Sequence, residues 1–476
     1  MSNTTLVFCN QLAQFKREKG MLFFYCLSIV IMGVVVPFFI KGIESSLTMA
    51  ALLTATFLKP TLSDSVAGER EHRTLETLLS SPMNGKSIIW GKFQFCLFFA
   101  LCFFGLTTLC ATLTNWLIGR EMILTAWQWI GIILVAVLNF GAISIAGVQA
   151  SAASADMRVA NSRVSLIAYP LGLMFVAYLA VIILVDFIPA AIISLILIFI
   201  YLCVILIFTF KTIIMKQSNY FENIKYKKGK RSIEHENRAS YITPKSQFGI
   251  VFGFELKYLM TIKTLLLNFG ALCFAPALVA WLSFYYTGKI DLNYAVFITV
   301  LFIPRVPVNL IAYSIGGEKV YRTGESLLST PLHIRSVFLA KCMIPLMVSA
   351  IMLVLSSLLT LMGAEIIGRI TGEITLKYMY TAEQLVLLFG VGIMSSMLMM
   401  FISAILSVVL KIPRHSLYVT SLLSFLFVVP VLAIVYLAKN ILMWSLIYSA
   451  FLLICNALCI RGISDKITNS QIISRL

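Results

Sequence analysis

The sequence predicts an all-α polytopic membrane protein, with twelve transmembrane helices in two pseudo-symmetric six-helix halves. Three observations carry that expectation. The chain of 476 residues is 60% hydrophobic and only 12% charged, about half the charged share of a soluble domain. Its apolar residues fall in runs of roughly 20, long enough to cross a bilayer as helices. Residues 69–82, EREHRTLETLLSSP, recur in weaker form as EKVYRTGESLLSTP at 318–331, displaced by 249 positions without a gap. Ser65, Gly68, Glu69, Arg73, Thr74, Glu76, Leu78, Leu79, Ser80, Pro82 and Lys92 have identical partners at Ser314, Gly317, Glu318, Arg322, Thr323, Glu325, Leu327, Leu328, Ser329, Pro331 and Lys341. A repeat of this length is one architectural unit used twice.

The spans of the first half are expected at about 21–40, 47–62, 88–113, 129–153, 164–185 and 188–210. Those of the second fall at about 265–285, 294–315, 337–362, 385–410, 417–437 and 441–460. The first apolar run has no small-residue cleavage site after it, so it is expected to stay as a span and not to be removed as a signal peptide. With the N-terminus inside, Lys41, Arg120, Lys289, Arg369, Lys377 and Lys439 are the outer cations, and the other 31 of the 37 Lys and Arg lie inside. That asymmetry fixes both termini in the cytoplasm. The net charge of +17 therefore follows membrane topology, and nucleic acid is not an expected partner. The ten cysteines lie mostly inside apolar runs with no C-x-x-C pair, as small apolar fillers do.

Three segments organise the chain: 1–215, a six-span half; 216–248, a cytoplasmic linker carrying KYKKGKR at 225–231; and 249–476, the second half. The basic run suits anionic lipid headgroups. Each half opens with an amphipathic segment. Phe8, Leu12 and Phe15 share a helical face beside Lys16, Arg17 and Lys19, and Val251, Phe254 and Tyr258 repeat the pattern. Such helices lie on the inner leaflet, with membrane lipids as their contact.

Both motif copies fall in the inner loop between the second and third spans. Leu75, Leu78 and Leu79 share one helical face. Glu69, Arg73 and Glu76 form a charged stripe at i, i+4 and i+7 that can pair internally. Pro82 is expected to end that helix. Glu318, Arg322, Glu325 and Pro331 repeat the scheme, while Glu71 becomes Val320 and Leu75 becomes Gly324. A solvated loop explains the cations but not paired glutamates kept in phase.

The run E-R-E-x-x-T-L-E-x-L-L-x-x-P, followed ten residues later by Lys92, resembles the inner-loop signature of type 2 ATP-binding-cassette (ABC) exporter permeases. The six-span half with an amphipathic N-terminal helix is similar to the same family. The resemblance implies the type 2 exporter fold. It also implies that these loops are coupling elements docking on two copies of a cytoplasmic ATPase, which would bind ATP and Mg. Carried over by position, Glu69, Arg70, Glu71, Arg73, Glu76 and Pro82 are the first coupling set, and Glu318, Arg322, Glu325 and Pro331 the second. Many family members carry glycine where Arg73 and Arg322 stand, and Gly324 should loosen the second copy. No cofactor is expected in this chain. Residues 84–87, NGKS, supply only the tail of a P-loop, and its first glycine position is Ser80. The chain is therefore expected to be a transporter subunit in a bacterial plasma membrane and not an enzyme.

Lys59 and Arg305 lie in or near apolar runs. They are expected to snorkel to the inner interface, with Pro60, Pro304 and Pro307 kinking the helices beside them. Asn139 and Gln149 are pathway or interface candidates on the fourth span, whose Gly141, Ser144, Gly147 and Ser151 favour close helix packing. No series of acidic residues crosses the spans, as an ion-coupled carrier usually requires. Two competing classes remain: a twelve-span secondary carrier, and a membrane sensor or resistance component working with an ATPase.

Overall fold

A computed structural model describes residues 3–17, 19–35, 37, 43–71, 74–75, 84–119, 124–154, 156–184, 187–214, 247–262, 265–270, 272–274, 276–277, 292–321, 334–370, 379–409 and 440–468. It also describes scattered positions between 416 and 435. Among the described residues every regular element is helical. Eight helices among these residues are long and apolar enough to cross a membrane: Gly85–Leu117, Ala126–Ala152, Met157–Leu179, Ala190–Ile213, Ala295–Gly317, Ser336–Ile366, Ala382–Val409 and Ile441–Arg461. The chain is an all-α, multi-pass membrane protein. The expected spans at 21–40 and 265–285 appear as the shorter apolar helices Tyr25–Val35 and Leu265–Phe274. Most of the expected span at 417–437 and the stretch at 216–246 lie outside the described residues.

The chain divides into two compact units, Met1–Tyr241 and Ile242–Leu476. The first contains α1 (Asn3–Arg17), α2 (Lys19–Val30, continued by a π turn at Ile31–Val35), α3 (Ile43–Glu71) and α4 (Gly85–Leu117). It continues with α5 (Ala126–Ala152), α6 (Met157–Leu184) and α7 (Phe187–Ile214). Helix α5 is central, touching α3, α4, α6 and α7. Its small residues set that position. A Cβ on Gly147 would lie 2.7 Å from Leu62 Cδ1, so only glycine lets α3 approach this closely. Helix α7 is the opposite case. Leu195, Phe199, Leu206 and Phe210 are exposed, as a lipid-facing helix requires.

Helix α1 does not lie free on a surface. Phe8 meets Phe95 and Phe98 edge-on, Phe15 meets Phe95 and Phe99, and Val7 is buried. The predicted apolar face is thus covered largely by α4. The close fit depends on Gly91, where a Cβ would fall 2.6 Å from Val7 Cβ and 2.8 Å from the Thr4 carbonyl.

The second unit contains α8 (Gln247–Thr261), α9 (Leu292–Phe302), α10 (Arg305–Tyr321), α11 (Ile334–Ile370), α12 (Ala382–Val409, with a π turn at Val386–Val391) and α13 (Ile441–Thr468). Helix α12 touches α10, α11 and α13. Helix α8 packs on α11, with Val251 buried against Val337 and Ala340. Helices α1 and α8 have the same length of 15 residues. Val7 against Gly91 is matched by Val251 against Ala340, which fixes their relative register.

The prolines behave differently from one another. Pro60 sits inside the continuous α3, whereas a turn at Ile303–Pro304 separates α9 from α10. Pro307 falls in the first turn of α10, where a missing backbone N–H costs little. Only one of the three expected kinks is therefore a break in the helix.

Candidate functional site

The motif begins on the last turn of α3. Helix α3 runs to Glu71, well past the expected span end at 62, because neighbours bind its last turns. The Ser151 hydroxyl donates to the Ser63 carbonyl at 2.8 Å and accepts from the Val66 and Ala67 amides at 3.2 and 3.0 Å. It thus touches both ends of one i→i+4 backbone rung and clamps α3 onto the end of α5. Helix α10 likewise carries the start of the second copy, extending through Glu318 to Tyr321.

Arg70 strengthens that clamp. Its guanidinium donates to the Ser154 carbonyl and, at 2.9 Å, to the Ala152 carbonyl. Arg163 donates to the Ala153 carbonyl at 2.7 Å. These carbonyls end α5 and have no intrahelical partners of their own. Two cations there also suit the negative end of the helix dipole. Burial draws the Arg70 pKa below its usual value, and the Asp156 carboxylate works against that shift.

Lys92 is the centre of the site. It lies on α4 with 1% of its side chain exposed, and its Nζ is 2.6 Å from Glu69 Oε1. The same ammonium donates to the Ser65 carbonyl. Glu69 Oε2 is buried without a hydrogen-bond partner among the described residues. Glu69 is therefore turned into the protein, and its charge positions α3 against α4. Glu71 is partly buried in the last turn of α3, Thr74 is exposed and Leu75 is buried. Arg73, Glu76, Pro82, Arg322, Glu325 and Pro331 lie outside the described residues, as does the Glu318 side chain.

In the second unit the register-matched cation meets, among the described side chains, an acid on α8. Lys341 Nζ lies 2.6 Å from Glu255 Oε1, 3.1 Å from Ser314 Oγ and 3.5 Å from the Ser314 carbonyl. The Ser314 hydroxyl also donates to Glu255 at 3.1 Å. Sequence reasoning found Lys92, Lys341, Ser65 and Ser314 as repeated residues but gave them no role, and it missed Glu255.

It missed a second repeat as well. Thr125-Ala-Trp-Gln128 opens α5, and Thr381-Ala-Glu-Gln384 opens α12. In each, the threonine N–H donates to the glutamine side chain, at 2.8 and 3.0 Å. Both are capping boxes, which satisfy amides left free at a helix start. Gln128 then donates to the Ile182 carbonyl and Gln384 to Asn293 Oδ1. Each glutamine so ties its helix to a neighbour.

Lys59 and Arg305 do not reach for an interface. Lys59 is buried, with its ammonium 3.3 Å from the Tyr169 hydroxyl and 5.2 Å from the ring centre. Arg305 is buried with its guanidinium carbon 5.9 Å from the Phe302 ring. Nearby aromatic rings replace the expected snorkelling. Gln149 donates to the Phe208 carbonyl and joins α5 to α7. Asn139, midway along α5, is buried with neither amide atom hydrogen-bonded among the described residues. Every fully buried charge among the described residues is a cation, namely Lys59, Lys92, Arg305 or Lys341.

No protein-family model matches the chain, and no curated protein matches it in sequence.

Proposed function

We propose that this chain is the membrane subunit of an ATP-driven type 2 ABC exporter, with two six-span halves fused in one polypeptide. The observation that carries the proposal is the duplicated glutamate-rich motif, which begins in both units on a membrane helix. In each unit a buried lysine at the same register is held beside that helix. In this reading the chain has twelve spans in a bacterial plasma membrane, with both termini and the 216–248 linker in the cytoplasm. Two copies of a separate ATPase, which bind ATP and Mg, dock against the segments at 69–82 and 318–331. The cargo is hydrophobic or amphipathic: a peptide, a lipid or a drug.

The first joint is built to transmit force. Ser151, Arg70 and the Glu69–Lys92 pair fasten the end of α3 to α4 and α5. A push on the loop that follows therefore moves spanning helices as a group. Glu69 and Arg70 act within the joint, so contact with the ATPase falls to residues further along the motif. Closing of the ATPase dimer tilts the halves, and ATP shifts the equilibrium only through differential contacts with the two states. The absence of a fully buried carboxylate among the described residues favours ATP over an ion gradient as the driving force.

Reconstitution into liposomes with and without the ATPase tests the proposal. Efflux of a fluorescent amphipathic probe is expected only with the ATPase and ATP. Efflux driven by a proton or sodium gradient in its absence would overturn the proposal.

A further inference from the structure

The two buried lysines occupy the same position in the repeat, and among the described side chains the carboxylates beside them lie on different helices. In the first unit the acid is Glu69, on α3 itself. In the second it is Glu255, on α8. The register fixed by the Val7–Gly91 and Val251–Ala340 contacts matches Glu255 to Gln11 in α1. The first unit therefore has an amide where the second has a charge.

We propose that Glu255 is a positioning residue that makes α8 part of the second joint. Its carboxylate bonds Lys341 of α11 and Ser314 of α10 at once. It therefore joins three helices at a point one turn before Glu318. Movement of the second motif copy is then movement of α8 as well. In the first unit α1 is held on α4 by aromatic and aliphatic contacts, and the matched Gln11 brings no such charge. The two joints are unequal in this connection and not only in how well the motif is kept. The word joint rests on the proposed coupling role, whereas the three-helix tie rests on the geometry alone.

Hydrogen exchange of the full-length protein in nanodiscs tests the tie without any transport measurement. Glu255→Gln should raise exchange about tenfold in both 247–261 and 305–321, because a charge-assisted bond holding two segments is lost from both. Exchange in 3–17 should stay at its wild-type level. Glu255→Asp should restore most of the protection. The exchanged pair Glu255→Lys with Lys341→Glu should restore more than either single change. Unchanged exchange in Glu255→Gln, or a rise confined to 247–261, would overturn the proposal. Should Glu255→Gln fail to fold, Ser314→Ala removes only the hydroxyl link. It should raise exchange in the same two segments by a smaller factor, and no rise would count against the tie. The transport reading fails separately, if wild-type protein shows no ATP-dependent efflux.

Discussion

In the first unit Ser65, Glu69 and the Lys92 they hold involve two consecutive long helices, α3 and α4. In the second, Ser314 and Lys341 occupy the same places, and α8 brings the carboxylate of Glu255 to them. The lysine is common to both because a cation at this place fastens α3 to α4 and α10 to α11. A buried ammonium needs a close anion and further oxygen acceptors, and in the second unit α8 supplies such an anion. One consequence is mechanical. The first joint is self-contained, and the second includes the helix that opens its half.

The sharpest way to break this comparison is to remove the first acid. Glu69→Ala leaves the ammonium of Lys92, 1% exposed, without its charged partner. Stranding a buried charge costs about 3 kcal/mol or more. Thermal unfolding in detergent should show that loss, and Lys92→Met in the same background should recover part of it by removing the stranded charge. A loss under about 1 kcal/mol would place the pair with surface ion pairs and remove the self-contained first joint.

What the sequence made legible divides along physical lines. Apolar runs report which segments prefer lipid, so the helical membrane class could be read directly. Identity at a fixed spacing exposed the duplication and marked Lys92 and Lys341. Partners were harder, because a linear pattern reports one helix face and not the helix opposite. Glu255 and Lys341 are separated by 86 positions and meet where α8 packs on α11. Lys59 was misjudged for the same reason, since nothing local shows Tyr169 covering it; for Arg305 the ring was in reach of the sequence, three positions earlier at Phe302. The Thr-x-x-Gln repeat was visible but fell out of phase. It recurs at 256 positions against 249 for the motif, and helix α11 has 37 residues against 33 in α4.

A second prediction compares how α1 and α8 are attached. Gly91→Ala puts a methyl 2.6 Å from Val7 Cβ, closer than packed carbons tolerate. The cost should be about 2 kcal/mol, as for overpacked cores, and α1 should lift from α4. Combining it with Val7→Ala relieves the side-chain clash and should recover about half. The 2.8 Å approach to the Thr4 carbonyl remains and limits the rescue. The second unit already has alanine at the matched Ala340, so Ala340→Gly should have little effect beyond its helix-propensity cost of about 1 kcal/mol. Equal losses for Gly91→Ala and Ala340→Gly would show that the two interfacial helices are not held by differently shaped contacts.

The smallest effect concerns a feature in which the two units agree. Thr125 and Thr381 cap the helices α5 and α12 through the same bond to a glutamine three residues on. Replacing either threonine with alanine leaves that backbone bond; Thr381→Ala loses the hydroxyl that accepts from the Gln384 amide and Thr125→Ala the hydroxyl that donates to the Gln128 side chain, at a cost of about 1 kcal/mol each. Because neither cap involves the lysine sites, the two losses should match within about 0.5 kcal/mol and should add in the double variant, as independent sites do. Thermal unfolding of the two single variants and the double measures this. A clear excess for Thr381→Ala would mean that the second unit is weaker at its helix start as well. The asymmetry would then belong to the whole unit, and the choice between Glu69 and Glu255 would be one symptom of it and not its cause.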